Sequence, residues 1–244
     1  MSNGNYFKWL YSGWDTGATA MDEFKETDHP RGGQENKGRF TEKPETTAKR
    51  ERLDPNAGAE AASENGKKLA ECSPKEYAET ITEAKKNVSP ELQWRVDAKS
   101  EEEYAHCKKL LKTPKGSCIA VKDNGDIVSL CRADGDRDVR GSDLLKKAVE
   151  EGGDRLDTFD GNWGFYVKNG FTPISWTPFN EEFAPEGWVK GRDKPEDVVF
   201  FAYTGNRGMI DMKDWKANNK PFTGESGYDD AMAARDNFLK GKNQ

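Results

Sequence analysis

SCIAVKDNGDIVSLCRA, residues 117–133, places Asn124-Gly125 between two runs in which apolar, β-branched residues alternate with polar ones. A two-residue turn of this kind needs positive φ at its centre, which asparagine and glycine tolerate, and its twist matches that of the flanking strands. The stretch therefore predicts an antiparallel hairpin. Downstream, RGSDLLKKAVEEGG (140–153) spaces Leu144, Leu145, Ala148 and Val149 on one helical face, with Gly152-Gly153 as the stop. RLDTF (155–159) then reads as a strand, NWGFYVKNG (162–170) as a short helix closed by Gly170, and FTPISW (171–176) and DVVFFAYTG (197–205) as two further strands. Upstream, Ser73, Pro74 and Glu76 form a capping-box signature that opens a helix running to about Asn87. LQWRVD (92–97) alternates as a half-buried strand does, and Ser100 followed by three glutamates opens a second helix that TPKG (113–116) ends. The order is helix, strand, helix, hairpin, helix, strand, helix, strand, strand. It predicts a mixed sheet with helices on it, an α/β or α+β domain.

Composition limits how much of the 244 residues can belong to that domain. Charged and hydrophobic residues each make up 34%, and leucine, isoleucine, valine and phenylalanine are concentrated between residues 92 and 205. The reading is an aromatic N-terminal segment over 1–24, a polar and disordered linker over 25–70, a domain over 73–205, and a polar, largely disordered tail over 206–244 in which Asp229–Leu239 offers a short helix with a thin apolar face. The net charge of −6 is spread along the chain. No basic stripe is present to release counterions from nucleic acid, which argues against that class of partner. The N-terminus has neither a basic leader nor a continuous apolar stretch, and no run approaches a membrane span, so the expectation is a cytoplasmic protein with no membrane partner. Four cysteines without a C-x-x-C pair and two histidines fit reduced thiols rather than a zinc site.

Two stretches, RDVRGSDLLKKAVEEGGDRLDTF (137–159) and FYVKNGF (165–171), together with their order behind the hairpin, resemble the GNAT acyltransferase superfamily over about residues 92–205. The resemblance implies a mostly antiparallel, twisted mixed sheet flanked by helices, acetyl coenzyme A as the acyl donor, and an amine-bearing acceptor. It implies that Arg140, Gly141 and Ser142, with Arg137 nearby, hold the pyrophosphate, and that backbone groups of Ser129, Leu130 and Cys131 pair with the pantetheine arm. It also implies that Tyr166 protonates the departing thiolate. A helix start preceded by a glycine-bearing turn does supply donors and a favourable dipole for a phosphate. The loop nevertheless departs from the family pattern, because the expected arginine and first glycine fall on Asp136 and Val139, and Asp143 brings a carboxylate to the helix start. RGSD therefore also reads as a plain N-cap before an amphipathic helix, and Tyr166 as a core ring.

An acceptor amine must lose a proton before it attacks a thioester. Asp97, and Glu181 or Glu182, are the candidate bases, with solvated surface acids as the alternative reading of all three. The loop SWTPFNEEFAPEGWVKGRDKPED (175–197) combines Trp176, Phe179, Phe183 and Trp188 with Lys190, Arg192 and Lys194. It reads equally as a substrate lid, a partner surface, or a long loop folded onto the sheet. FKETDHPRGGQENKGRF (24–40) taken with the domain is also similar to segments of phage and prophage head-morphogenesis proteins, which implies a phage or host protein as partner and an alternative function as a noncatalytic binding module.

Overall fold

The computed structural model describes residues 69–242. The N-terminal segment and nearly all of the expected linker lie outside the described residues. Chain order begins with β1 (Ala70–Glu71) and α1 (Pro74–Lys86), followed by a 3-10 turn (Gln93–Arg95) and α2 (Glu101–Tyr104). Strands β2 (Cys107–Lys112), β3 (Cys118–Lys122) and β4 (Ile127–Cys131) then lead into α3 (Gly141–Glu150). β5 (Arg155–Phe159), α4 (Trp163–Lys168), β6 (Phe171–Thr177) and β7 (Val198–Tyr203) precede two C-terminal helices, α5 (Met212–Asn218) and α6 (Gly227–Lys242).

The strands form two antiparallel sheets, one ordered β1-β2-β3-β4 and the other β5-β7-β6. The fold is thus the expected mixed α/β one with antiparallel sheets flanked by helices. The hairpin forms at Asn124-Gly125, but through a three-residue loop rather than a two-residue turn: Gly125 alone of the pair has positive φ, at +83°, and the Lys122 N–H donates to the Asp126 carbonyl at 2.9 Å. β4 and β5 meet through one parallel bridge, Asp126 to Arg155. There the Gly125 carbonyl accepts the Asp154 N–H at 2.9 Å.

Two local expectations are corrected. LQWRVD is not a strand: its alternation buries Trp94 and Val96 from a 3-10 turn, and the Trp94 ring meets Phe159 edge-on at 4.7 Å. The second helix stops at Tyr104, and CKKLLK (107–112) is a strand. Lysine and leucine favour helix locally, but β3 needs a partner on its other edge, and pairing with β2 over Cys107–Lys112 supplies it.

The main core joins Tyr77 and Ile81 of α1 and Leu144, Leu145 and Ala148 of α3 to Ile119, Val121, Val128 and Leu130 of the first sheet. In β7, Val199 and Phe201 face this core, while Val198 and Phe200 face a second cluster with Trp94, Phe159, Tyr228 and Ala231. Burial on both faces explains the unbroken apolar run VVFFAY.

The tail expected to be largely disordered is instead helical over Met212–Asn218 and Gly227–Lys242, the second of which contains the expected short helix. Helix α6 lies on the second sheet, where Tyr228, Ala231, Arg235 and Leu239 form one buried stripe. The Ser175 hydroxyl donates to the Ala231 carbonyl at 2.6 Å, and the Tyr228 hydroxyl donates to the Asp157 carboxylate at 3.0 Å. Half of that stripe is polar, so hydrophobic periodicity alone shows only a thin apolar face there.

Burial in and against the first sheet has a measurable pH signature. It pushes the Cys107 thiol up to about 11 and the Cys131 thiol up to about 12, and holds Cys118 and Tyr77 well above their ordinary ranges. Unfolded thiols ionise from about pH 8.5. Above that pH the unfolded chain has lost protons that the folded chain keeps, so stability falls as pH rises. Urea midpoints under reducing conditions should therefore decline from about pH 9 toward pH 12, and Cys118→Ala with Cys131→Ala should flatten the decline.

Candidate functional site

The site expected at β4 and the start of α3 is built around an interrupted strand edge. Pairing of β3 with β4 shifts register between Cys118 and Ala120, and Ser129 sits opposite that shift at φ +52°. Such a bulge leaves an extra residue outside the ladder and bends the strand. Ser129, Leu130 and Cys131 are all buried. The Tyr77 hydroxyl donates to the Ser129 carbonyl at 2.7 Å, and the Tyr104 hydroxyl lies 2.9 Å from Ser129 Oγ. Because burial raises the Cys131 thiol so far, that side chain is packing rather than a nucleophile at neutral pH.

Beyond the Asp126–Arg155 bridge no ladder joins β4 to β5, so two facing strand edges run on without a shared set of backbone bonds. The loop after β4 leads into α3. Its anchor is Asp136, almost fully buried, whose Oδ2 accepts the Thr113 and Ser117 hydroxyls at 2.8 and 2.7 Å and whose Oδ1 accepts the Asp138 N–H at 3.1 Å. Val139 is buried beside it. Asp136 thus fastens the loop to the turn between β2 and β3, while Val139 joins the main core.

At the helix start, Gly141 is buried, Ser142 half-buried, and Arg137 and Arg140 exposed. The first-turn N–H groups of Gly141 and Ser142 have no acceptor within the helix itself. Asp143 turns back: its Oδ2 accepts the Arg140 N–H at 3.0 Å and lies 3.9 Å from the Arg140 guanidinium. Its charge is therefore engaged at the N-cap.

Tyr166, on α4, has no exposed surface and is ringed by Phe165, Phe171 and Phe201 at centroid distances of 5.0, 6.0 and 5.7 Å. Gly170 ends the helix at φ +90°, where an added Cβ would meet the Tyr203 ring at 3.0 Å. Asp97 is brought to the bulge: its carbonyl accepts Ser129 Oγ at 3.5 Å, and its carboxylate pairs with Lys99 at 2.6 Å. Glu181 is left on an exposed 3-10 turn, paired with Lys190 at 2.8 Å.

The 175–197 loop is folded onto the domain. Phe179 stacks near Trp188 at 4.9 Å, the Trp176 indole donates to the Asn219 carbonyl, and Lys216 bridges Asp160 and Asp197 at 2.6 and 2.7 Å. Arg95 pairs with the buried Glu196, whose carboxyl is pushed up by burial and drawn back by Arg95. An open groove of about 650 Å³ runs between α1 and the 112–116 turn, lined by Glu76, Glu79, Glu83, Lys112, Lys115 and Asp134. None of the expected site residues lines it.

Sequence reading missed Tyr77, Tyr104 and Asp136. A signal for the tyrosines was present, because SPKEY (73–77) and SEEEY (100–104) are the same pattern, a capping box followed at once by tyrosine. Asp136 carried none, since Thr113 and Ser117, whose hydroxyls converge on its Oδ2, are brought to it only by the sheet.

Among the described residues no group of three histidine, cysteine or acidic side chains could hold a metal ion, and no helix is long and apolar enough to cross a membrane. No protein-family model and no curated protein matches the chain. Among solved structures, the chain is similar to an acetyltransferase of the GNAT family from Staphylococcus aureus Mu50, at 16% identity and a TM-score of 0.34, over 55% of this chain and 96% of that one.

Proposed function

We propose that the chain is an N-acyltransferase that moves an acetyl group from acetyl coenzyme A to an amine. The observation that carries this reading is the pair of facing edges of β4 and β5, which part after a single bridge beside the bulge at Ser129. An extended ligand with amide groups can add to such an edge as a strand would. The loop after β4 then delivers the N–H groups of Gly141 and Ser142, with the charges of Arg137 and Arg140, to a pyrophosphate. Acetyl coenzyme A supplies an acyl carbon and a thiolate leaving group. Asp97 takes a proton from the acceptor ammonium, the freed nitrogen forms the C–N bond as the C–S bond breaks, and the second proton that nitrogen must lose to become an amide leaves to solvent. Tyr166 protonates the thiolate. Its hydroxyl is enclosed, so it acts only on a group enclosed with it.

Isothermal calorimetry with acetyl coenzyme A tests the reading directly. Saturable binding is expected, and absence of heat at millimolar ligand overturns it. Across a panel of primary amines, Tyr166→Phe should lower thiol release about 10²-fold while leaving affinity for acetyl coenzyme A unchanged. A second reading, a noncatalytic module docking a phage or host protein through the 175–197 loop, is favoured by one observation. Asp136 and Val139 are buried in the loop anchor rather than presented to a ligand.

A further inference from the structure

We infer that Tyr77 and Tyr104 are positioning residues that hold Ser129 in its left-handed conformation and thereby shape the β4 edge on which the ligand is laid. The inference rests on the acyltransferase reading for the ligand, but not for the backbone geometry. Among the described residues Ser129 is the one non-glycine residue with positive φ. That conformation crowds Cβ against the backbone, so it persists only where the surroundings impose it.

Here the surroundings are two tyrosine hydroxyls. Tyr77 reaches the Ser129 carbonyl from α1, and Tyr104 reaches its side chain from α2; both rings have no exposed surface and meet edge-on at 4.7 Å. Direction of donation follows from the partners. The Lys99 N–H donates to the Tyr104 oxygen at 3.2 Å, which leaves the Tyr104 proton for Ser129 Oγ, and Ser129 Oγ donates onward to the Asp97 carbonyl at 3.5 Å. Burial holds both phenols protonated, so both remain donors. The repeated capping boxes fix each tyrosine four residues after its serine, at the start of its helix.

A consequence concerns Asp97. The same chain of hydrogen bonds ties the 97–99 segment to the bulge, so the base and the strand edge that receives the acyl donor are held as one unit. Glu181, on its exposed turn, has no such link to Ser129.

The test uses the full chain carrying Tyr77→Phe, Tyr104→Phe, both together, and both with Ser129→Gly. Two readouts are taken: hydrogen exchange over 127–131 without ligand, and the dissociation constant of acetyl coenzyme A. Each phenylalanine variant should exchange faster over 127–131 and bind about tenfold more weakly. Glycine adopts positive φ without help, so Ser129→Gly should restore most of both in the double-phenylalanine background. Folded phenylalanine variants with wild-type exchange and affinity overturn the inference, and so does a loss that glycine leaves unrepaired. If the wild-type chain fails to bind acetyl coenzyme A, the acyltransferase reading falls, while the exchange data still decide whether the tyrosines hold Ser129.

Discussion

Arg235→Ala is expected to destabilise the domain by about 3–5 kcal/mol, read as a lower urea midpoint at unchanged slope. Arg235 and Asp126 are each about 1% exposed, and their side chains lie 3.6 Å apart. The guanidinium also contacts Asp236 at 2.9 Å and lies 5.7 Å above the Phe200 ring. Removing the cation takes this ion pair from a buried carboxylate, and that loss accounts for most of the cost. The position magnifies the effect, because among the described residues Asp126 and Arg155 form the single bridge between the sheets, and Asp236 of α6 also pairs with Arg155 at 3.3 Å. A cycle with Asp126→Asn should return a coupling of about 1–3 kcal/mol. A loss below about 1 kcal/mol for Arg235→Ala would mean that α6 is only loosely seated.

Asp136→Ala should cost about 2–4 kcal/mol, since it strands two hydroxyl donors and one N–H that converge on a buried carboxylate. Its second effect is local. With the anchor gone, hydrogen exchange over 132–140 should accelerate, and affinity for acetyl coenzyme A should fall because the Gly141 and Ser142 donors are no longer held in place. Normal exchange in that loop would show that Arg140 and Asp143 suffice to organise the helix start.

The two substitutions mark the boundary of what sequence reasoning reaches. The hairpin at Asn124-Gly125, the caps at Ser73 and Ser100, and the glycine stops at 152 and 170 are decided within a few residues by backbone sterics and by donors at helix starts. They were legible, and with them the order from the hairpin to β7. Placement of Gly141 and Ser142 at the start of α3 followed from the same local rules. CKKLLK was misread because its local preference is helical and its pairing with β3 is not visible until the sheet assembles.

Residues 206–242 show the same division at larger scale. An apolar stripe signals burial through the hydrophobic effect, which depends on residue type alone and so can be read from a string of letters. A stripe made of Tyr228 and Arg235 signals burial only when Asp157, Asp126 and Phe200 stand opposite to receive it. The sequence by itself determined where helices begin, where turns must fall, and which face of α3 is core. Tertiary structure alone decided that β4 parts from β5 after one bridge, that two tyrosines and Asp97 converge on Ser129, and that a polar helix closes the second sheet. Those outcomes rest on hydrogen bonds and charge pairs between residues far apart in the chain, and such interactions exist only where the fold has already brought both partners together.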